Sequence, residues 1–434
     1  MLSTGGALAF AARLGLWRVD RTEASPPDTG PFGPLRPAVD RTTGLALLRL
    51  PPDFSYASFG WAGDPLECGS VTPARHDGMG VVRTQGDRVW LVRNHEVGLG
   101  PAFGPAAITY DPRCGGGTTT LTFDVRRGAF EGAWASLAGT SVNCAGGPTP
   151  WSTWLSCEEI VADAAEPHGF VFEVPAPGVA SPRPLPALGR FVHEAAAVDP
   201  ATGIVYLTED RETAGFYRFV PATRGDLHRG RLQMLRVANA GADLSGAIDS
   251  ATAFDTSWVD VDEPTRAHTP GTLDTLGVFR QGRKRGGAMF RRLEGCVADG
   301  TRIVFTSTSG GAAGAGQVWE YLPSNEQLRC LYESTDRAVL DYPDNVTVGP
   351  HGGLLLCQDQ LGRPQRLYAL TPTHGLFAFA ENAIELAGER NDLRGDYRSS
   401  EWAGATFAGD WLFVNIQTPG ITFAITGPWD RLRI

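Results

Sequence analysis

The chain has 434 residues with 54 glycines and 31 prolines, and its apolar runs are short, which favours many strands and turns over long amphipathic helices. Its formal net charge of -10 argues against a nucleic-acid partner, because the basic run at residues 280–287 is too short to neutralise a phosphate backbone. Beyond the N-terminal segment no apolar run reaches the roughly 18 residues that a bilayer requires, so we expect no membrane span.

Residues 1–40 are the first predicted segment. The run MLSTGGALAFAARLGL is apolar and rich in small residues, like the hydrophobic part of an export signal, but no positively charged stretch precedes it. The run is either a clipped export signal or an ordinary N-terminal segment, and we expect the former. Residues 41–434 are expected to form one domain.

A repeat organises the rest of the chain. Six segments alternate apolar and polar residues and end in Pro or Gly, which predicts six strands. Upstream of each, a polar residue opens one apolar run and a polar cluster closes the next, about 12 to 17 residues later, as in a hairpin of two short strands. The six strand segments begin at Thr118, Gly169, Gly215, Gly316, Gln365 and Gly420.

With a fourth strand such as RLQMLRV, each unit becomes a four-stranded antiparallel sheet of about 50 residues, the repeat of a propeller blade. The sequence therefore predicts an all-β fold, a six-bladed β-propeller. The interval between the third and fourth repeats is about twice the others, and the excess lies at about residues 238–287. This excess predicts a surface insertion in the third-to-fourth blade region, and a lid over one face is one interpretation.

The ends of the six hairpins are rich in carboxylates. A hairpin brings its two ends to the same edge of a sheet, so these side chains should converge at one mouth of the central channel. Carboxylates packed this closely need cations or protons, and oxygen ligands at this density suit calcium. The alternative is that each acid is a solvated loop residue. The acids are Glu96, Glu158, Glu159, Glu194, Glu209, Asp210, Glu294, Asp344, Asp359 and Glu401.

The seven cysteines do not indicate a disulfide scaffold, and their odd number leaves at least one thiol free or metal-bound. CxxC pairs of the zinc-ribbon kind are absent from the sequence, so we do not expect a structural zinc site. Cys157 directly precedes Glu158 and Glu159, and a thiolate there would select a transition metal beside the calcium sites. A buried inert cysteine, or a disulfide with Cys144, is the alternative.

Several motifs resemble the PhoX-type alkaline phosphatases, and together they run from Arg93 to Trp429. The long string that contains both Cys144 and Cys157 is very specific, whereas NHE or TED alone would not be. The resemblance implies a propeller with a mixed cluster of Fe3+ and Ca2+ that hydrolyses phosphomonoesters, and export to the periplasm or the medium by the twin-arginine route. The motifs are RNHE, NCAGGPTPWSTWLSCEE, LGRFVHEAA, VYLTED, YPDNV and EWAGATFAGDWLFVNIQTPGITFAITGPW.

The same resemblance implies roles for individual residues. Cys157 is the expected thiolate ligand of iron. Arg292 and Arg211 are expected to clamp the oxygens of a small-molecule phosphate ester, because arginine suits bidentate binding of phosphate, although each could be only a counter-ion. We expect a monomer. The expected carboxylate ligands are Glu96, Glu158, Glu194, Glu209, Glu294, Asp344 and Glu401.

The chain also departs from the family it resembles. TSTSGG at residues 306–311 stands where the family has paired asparagines followed by an arginine, and RRLEG replaces an Arg-Pro-Glu element while keeping Arg292 and Glu294. A twin-arginine pair is not visible. Two other functions therefore stay open: a calcium-dependent lactonase or esterase, which would leave Cys157 unexplained, and a non-catalytic binding propeller whose metals serve stability alone.

Overall fold

A computed structural model describes residues 29–238, 241–249, 252–360, 362–372 and 375–431. Antiparallel strands dominate this part of the chain, which confirms the predicted all-β propeller class. The export-signal prediction falls mostly on residues 1–28, which lie outside the described residues. Among the described residues no helix has the length and apolar character to cross a bilayer. The helices are α1 (Gly277–Lys284) and three 3-10 turns at Ala106–Ile108, Pro186–Leu188 and Trp429–Arg431.

Thirty strands are described, and the first five precede the repeated units. These five are β1 (Thr29–Gly30), β2 (Gly33–Pro34), β3 (Arg36–Ala38), β4 (Leu48–Leu50) and β5 (Ser55–Phe59). The first three units contain β6 (His76–Gln85), β7 (Arg88–His95), β8 (Gly116–Asp124) and β9 (Ala129–Thr140); β10 (Asn143–Pro148), β11 (Thr153–Glu158) and β12 (Val171–Pro175); and β13 (His193–Val198), β14 (Val205–Glu209), β15 (Tyr217–Pro221) and β16 (Gly230–Val237).

The remaining strands complete three further units and two connections. The connections are β17 (Ala253–Asp260) and the hairpin of β26 (Glu385–Ala387) and β27 (Arg394–Asp396). The units contain β18 (Leu293–Ala298), β19 (Ile303–Ser307), β20 (Gln317–Leu322) and β21 (Gln327–Glu333); β22 (Pro343–Val348), β23 (Leu354–Gln358), β24 (Arg366–Thr371) and β25 (Gly375–Asn382); and β28 (Trp402–Ala408), β29 (Trp411–Ile416) and β30 (Ile421–Thr426). The six strands predicted from the repeat are the third strands β8, β12, β15, β20, β24 and β30.

The first strands of the six units form a ring. β6, β10, β13, β18, β22 and β28 each contact the next, and β28 contacts β6 again, so the ring closes. The second strands bury both of their faces between neighbouring units. In β11, for example, Leu155 packs with Leu207 of the third unit, while Trp154 packs with Val92 of the first. The apolar core is therefore divided into layers between units, with the polar ends of the hairpins left at the axis.

The ring closes through the N-terminal part of the chain. Strand β5 pairs antiparallel with β30, with Phe59 opposite Thr422, and so supplies the fourth strand of the last unit. Strand β4 pairs with β25 and extends the fifth unit. Both ends of the described chain are thus fastened into the same part of the ring.

The excess segment near residues 238–287 contributes to the sheets. Strand β17 pairs with β16 of the third unit and with β21 of the fourth, which joins these units into one nine-stranded sheet. Helix α1 packs on β16 at Gly282, where a Cβ atom would lie 2.3 Å from the Sδ atom of Met234. Only glycine permits this close approach. The segment predicted as a surface insertion thus has one strand and one helix built into the fold.

Candidate metal centre

A β-bulge interrupts the first strand of every unit near its inner end. In β6, for instance, the register with β7 shifts between His76 and Met79, so Asp77 and Gly78 of β6 stand opposite the single residue Asn94 of β7. Such a bulge turns a side chain out of the regular alternation, and bulges are frequent beside functional sites. The first bulged residues of the six units are Asp77, Cys144, Glu194, Glu294, Asp344 and Gly404.

The second strand of each unit ends beside this bulge, and the residue that follows its last position points toward the same region. Four of these six residues are acids. The hairpins therefore bring two sets of side chains to the axis, one from the bulges and one from the strand ends. The residues that follow the second strands are Glu96, Glu159, Asp210, Thr308, Asp359 and Gln417.

A cavity of about 220 Å³ lies where these two sets meet. Eight carboxylates and one thiol face it, against two guanidinium groups. The cavity wall thus carries far more acidic than basic groups. The residues that line it are Arg75, Glu96, Cys144, Glu159, Glu194, Asp210, Arg292, Glu294, Asp344, Asp359, Glu401 and Gln417.

Burial and mutual repulsion raise the pKa values of these acids. Burial, followed by the charge of Glu96, raises the pKa of Asp77 to about 8. Burial is also the main cause for five further carboxyls, whose pKa values lie well above the usual range, and neighbouring carboxylates add to it. Each shift means that the ionised form is unfavourable here unless positive charge is added. The five are Glu159, Glu194, Glu294, Asp344 and Glu401.

The described residues supply too few donors for these oxygens. The amide nitrogen of Gln417 contacts Asp77 Oδ2 at 3.1 Å, Glu96 Oε2 at 2.7 Å and Glu401 Oε1 at a shorter distance still. A side-chain amide carries two hydrogens, so it cannot satisfy three acceptors. The Oε1 atom of Glu194 is buried without a hydrogen-bond partner among the described residues. Both observations indicate that cations belong in the cavity.

The two guanidinium groups are held at the wall of the cavity by acids. Arg292 Nε lies 3.0 Å from Asp210 Oδ1, and its Nη2 atom lies 2.7 Å from Glu294 Oε1. Arg75 Nη2 lies 2.8 Å from Glu96 Oε2, and about half of the Arg75 side chain remains exposed. These ion pairs fix the direction of both side chains.

Three groups of ligand atoms in this region are compact enough to hold an ion, since within each group the atoms lie within 4.8 Å of one another. One contains a thiol and two contain only carboxylates, and Glu401 belongs to both of the latter. The donor sets thus differ in chemistry, because thiolate favours transition metals and carboxylate oxygens favour calcium. The groups are Cys144, Glu159 and Glu194; Asp77, Glu96 and Glu401; and Asp344, Asp359 and Glu401.

Comparison with known families gives a match to the family described as Alkaline phosphatase PhoX, over residues 30–128 and 104–420. The chain belongs to the PhoX family.

Among solved structures, the chain is similar to PhoX from Pseudomonas fluorescens in complex with vanadate, a transition state analogue. The TM-score is 0.63 at 17% sequence identity, over 91% of this chain and 97% of that one. A gluconolactonase from Xanthomonas campestris is a weaker match, with a TM-score of 0.43 and 12% identity over 92% of this chain and 99% of that one. No curated protein matches the sequence.

The structure brings together most of the carboxylates predicted from the PhoX resemblance. They line the cavity from the bulges, from the end of β7 and from the start of β28, and Arg292 faces the same space. Their roles as ligands remain proposals. The predicted residues that line the cavity are Glu96, Glu194, Glu294, Asp344, Glu401 and Arg292.

The predicted place of Cys157 at the channel is wrong. Cys157 is fully buried in an apolar cluster with Leu155, Val171 and Leu207, and burial raises the pKa of its thiol far above the usual range. The thiol that lines the cavity is Cys144, and both cysteines are free. The reason is the position in the unit: Cys157 lies within the second strand, whose faces pack against neighbouring units, whereas Cys144 lies at a bulge of the first strand.

Glu158 and Glu209 were also predicted as ligands, and neither lines the cavity. Each occupies the last position of a second strand and fastens the segment that leads into the third strand. Glu158 Oε2 accepts hydrogen bonds from the backbone N–H groups of Gly169 and Phe170, at 2.8 and 3.1 Å. Glu209 Oε2 accepts from the N–H of Gly215 at 2.9 Å and from the hydroxyl of Tyr217 at 2.7 Å. Their neighbours in sequence, Glu159 and Asp210, face the cavity instead.

Arg211 does not line the cavity either. Its Nη1 atom donates to the hydroxyl of Thr275, in the segment that precedes α1. Arg211 thus connects the segment around residues 238–287 to the rim, next to Asp210.

Sequence reasoning missed Arg75 altogether, placed Gln417 at a polar strand end without giving it a role, and named Cys144 only as a disulfide alternative. Arg75 precedes the first unit and carries no motif. Thr308 of the fourth unit is, with Gln417, an exception to the acidic strand ends. The Thr308 hydroxyl donates to the carbonyl oxygen of Pro343 at 2.9 Å, and Thr306 donates to that of Asp344 at 2.6 Å. The TSTSGG segment therefore joins two units and offers no carboxylate.

Proposed function

We propose that this chain is a metal-dependent phosphatase that hydrolyses phosphomonoesters at a mixed iron–calcium centre in the cavity. The observation that carries the proposal is the composition of the cavity wall, with eight carboxylates and one thiol converging on about 220 Å³ beside two guanidinium groups. Such a wall repels a phosphate ester unless cations reverse its charge. Membership of the PhoX family supports the reaction class.

The residues present fit the metals that the family resemblance implies. Cys144 with Glu159 and Glu194 would hold Fe3+, because a thiolate favours a transition metal. The groups Asp77, Glu96, Glu401 and Asp344, Asp359, Glu401 would hold Ca2+ through oxygen ligands, with Glu401 shared between them. Two observations support this fit. Among the described residues the buried Glu194 Oε1 has no hydrogen-bond partner, and the two hydrogens of the Gln417 amide face three carboxylate oxygens.

When bound, these cations would supply the positive charge that attracts the ester and stabilises the charge of the transition state. The protein's own part is positioning. Arg292 is held by Asp210 and Glu294, and Arg75 by Glu96, so both guanidiniums are oriented before substrate binds. Each is suited to bind phosphoryl oxygens that the metals leave free. The side chains of Asp210 and Glu294 thus act by directing Arg292.

The remaining proposals concern cellular context. We expect a small phosphate ester as substrate, because the cavity has room for a phosphoryl group and little more. A periplasmic or secreted location and a monomeric state stay predictions from the family resemblance. Residues 41–434 are proposed to act as one domain, in keeping with the closed ring of six first strands.

The test combines elemental analysis with turnover of p-nitrophenyl phosphate by the purified protein. We expect iron and calcium in the protein and hydrolysis that is lost when both are removed. Arg292→Lys is expected to reduce kcat/KM by at least 10-fold while the metal content is unchanged, since lysine cannot form the bidentate contact. A protein that contains iron and calcium but hydrolyses no phosphomonoester would refute the proposal.

A further inference from the structure

A second group of possible metal ligands lies outside the cavity, between the first and second units. It consists of Asp111, Cys114 and His168, whose side chains are at most 1% exposed. Asp111 and Cys114 belong to the tight turn DPRC, in which the Cys114 N–H donates to the Asp111 carbonyl oxygen at 3.1 Å. His168 lies 54 residues farther along the chain than Cys114, just before β12. None of these residues has a part in the proposed phosphatase centre.

We propose that Asp111, Cys114 and His168 supply three of the four ligands of a zinc ion. The His168 Nε2 atom lies 3.5 Å from Cys114 Sγ and 3.6 Å from Asp111 Oδ2. The second distance is too long for a normal hydrogen bond between nitrogen and oxygen. Tetrahedral zinc, with bonds of about 2.3 Å to sulfur and about 2.0 Å to nitrogen and oxygen, places its sulfur and nitrogen ligands about 3.5 Å apart and its nitrogen and oxygen ligands about 3.4 Å apart. The observed separations are those of two edges of such a tetrahedron.

The surroundings of His168 are those of a metal-bound histidine. A ligating imidazole usually donates its second ring N–H to a carboxylate, which fixes the tautomer that leaves the other nitrogen free for the metal. His168 Nδ1 lies 2.6 Å from Glu158 Oε1. Glu158 is itself held by the backbone N–H groups of Ser141, Gly169 and Phe170. This arrangement directs Nε2 toward Cys114 and Asp111.

Zinc binding would displace the thiol proton of Cys114 to solvent, so the resulting thiolate and the Asp111 carboxylate would offset the charge of the buried dication.

The Asp111 carboxylate is also placed as an ordered ligand. Its Oδ2 atom accepts hydrogen bonds from the N–H groups of Ala165 and Glu166, at 2.6 and 3.1 Å, and Oδ1 accepts from that of Arg113 at 2.9 Å. The turn in the first unit is thereby connected to the loop before β12. A zinc ion here would join the first and second units. Because Cys114 and His168 are 54 residues apart, the site has no short sequence motif.

The test is the zinc content of protein produced in zinc-supplemented medium, measured for wild type, Cys114→Ala and Cys330→Ala. Cys330 is a matched control, because its side chain is also buried and it lies far along the chain in β21. We expect Cys114→Ala to contain about one zinc ion per chain less than the other two proteins. Equal zinc contents in all three would overturn the proposal.

A second measurement decides the matter if Cys114→Ala fails to fold. Crystals of wild-type protein, measured on both sides of the zinc absorption edge, should give an anomalous peak between Cys114 Sγ, His168 Nε2 and Asp111 Oδ2. A map without density there would refute the site, whatever metals occupy the cavity. Neither measurement depends on phosphatase activity, so failure of this proposal and failure of the proposed function are distinguishable.

Discussion

Adjacent residues at the end of a second strand have opposite tasks. In the second unit Glu158 fastens the next strand through backbone N–H groups, whereas Glu159 turns into the cavity. Glu209 and Asp210 divide the same two tasks in the third unit. A carboxylate that accepts several buried hydrogen bonds serves folding, whereas one that faces the cavity is available to bind ions, as Glu159, or to hold Arg292, as Asp210.

Glu158→Gln and Glu159→Gln should therefore separate stability from metal binding in the cavity. Glu158→Gln removes the charge that pairs with His168 and is expected to lower the free energy of unfolding by about 2 to 4 kcal/mol. Glu159→Gln should leave the chelated protein as stable as wild type or slightly more stable, since it relieves repulsion, but it should lower the metal content of the cavity. Urea unfolding of chelated protein and elemental analysis measure the two effects. A large loss of stability in Glu159→Gln would contradict the assignment.

Cys144→Ser is expected to reduce bound iron and aryl phosphate turnover together, by about 10- to 100-fold. The serine hydroxyl stays protonated near neutral pH and cannot replace a thiolate as a ligand. Elemental analysis and steady-state kinetics provide the measurement.

The matched control is Cys157→Ser, the same change at a thiol in the apolar core. It should keep iron and turnover while the free energy of unfolding falls by about 1 to 3 kcal/mol, because a hydroxyl is buried there without a partner. If Cys157→Ser lost the iron and Cys144→Ser kept it, the assignment of the thiolate would be reversed.

At the scale of the element, the β-bulge is the feature that builds the cavity. A regular first strand would alternate its side chains between the two neighbouring units and present few of them to the axis. The bulge breaks this alternation at the same place in all six units, and five of the six first bulged residues carry a carboxylate or a thiol. The sixth is Gly404, whose φ of 62° lies in the left-handed region.

Gly404→Ala is expected to be strongly destabilising. A Cβ atom at this position would lie 2.5 Å from Met79 N and 2.6 Å from Asp77 O, both backbone atoms that cannot move without shifting the first unit. Left-handed strain of about 1 kcal/mol and overpacking of about 1 to 3 kcal/mol should combine in the measured free energy of unfolding. Because the shift moves Asp77, the metal content should fall too.

Gly409→Ala provides the comparison for this variant. Gly409 follows the same strand and has a φ of 56°, and a Cβ atom added to it would meet no other atom within 4 Å. The substitution should show only the backbone strain of about 1 kcal/mol and normal metal content. Equal effects of the two substitutions would show that crowding at the bulge is unimportant.

The alternation of apolar residues and the spacing of the hairpins were enough to predict the strands, the units and the convergence of Glu96, Glu194 and Glu294. They could not decide between neighbours such as Glu158 and Glu159, because the register at a strand end depends on the bulge in the partner strand. Arg75 carried no signal, since its approach to Glu96 is a tertiary contact. The pairing of β5 with β30 joins residues more than 360 positions apart, which a local pattern cannot reveal.

At the scale of the whole molecule, we expect ions bound in the cavity to contribute to the stability of the six units. Removing calcium and iron with a strong chelator should lower the melting temperature by several degrees and abolish turnover, because ions that bind only the folded state stabilise it and because the released carboxylates repel one another. Thermal unfolding followed by circular dichroism measures the shift. In Glu194→Gln/Glu401→Gln the same treatment should change the melting temperature less, and an equal change would argue against an ion-stabilised cavity.

The pairing of β5 with β30 also sets an order of events during synthesis. The fourth strand of the last unit is β5, at residues 55–59, which leaves the ribosome early. It cannot pair until its partner β30, at residues 421–426, has also been synthesised. Closing so long a loop is slow compared with forming each local hairpin. Glu401 joins the cavity only from this last unit, so the two carboxylate groups proposed for calcium are completed last. We therefore expect calcium to be loaded on a chain already complete, whereas the group of Cys144, Glu159 and Glu194 is supplied by the second and third units.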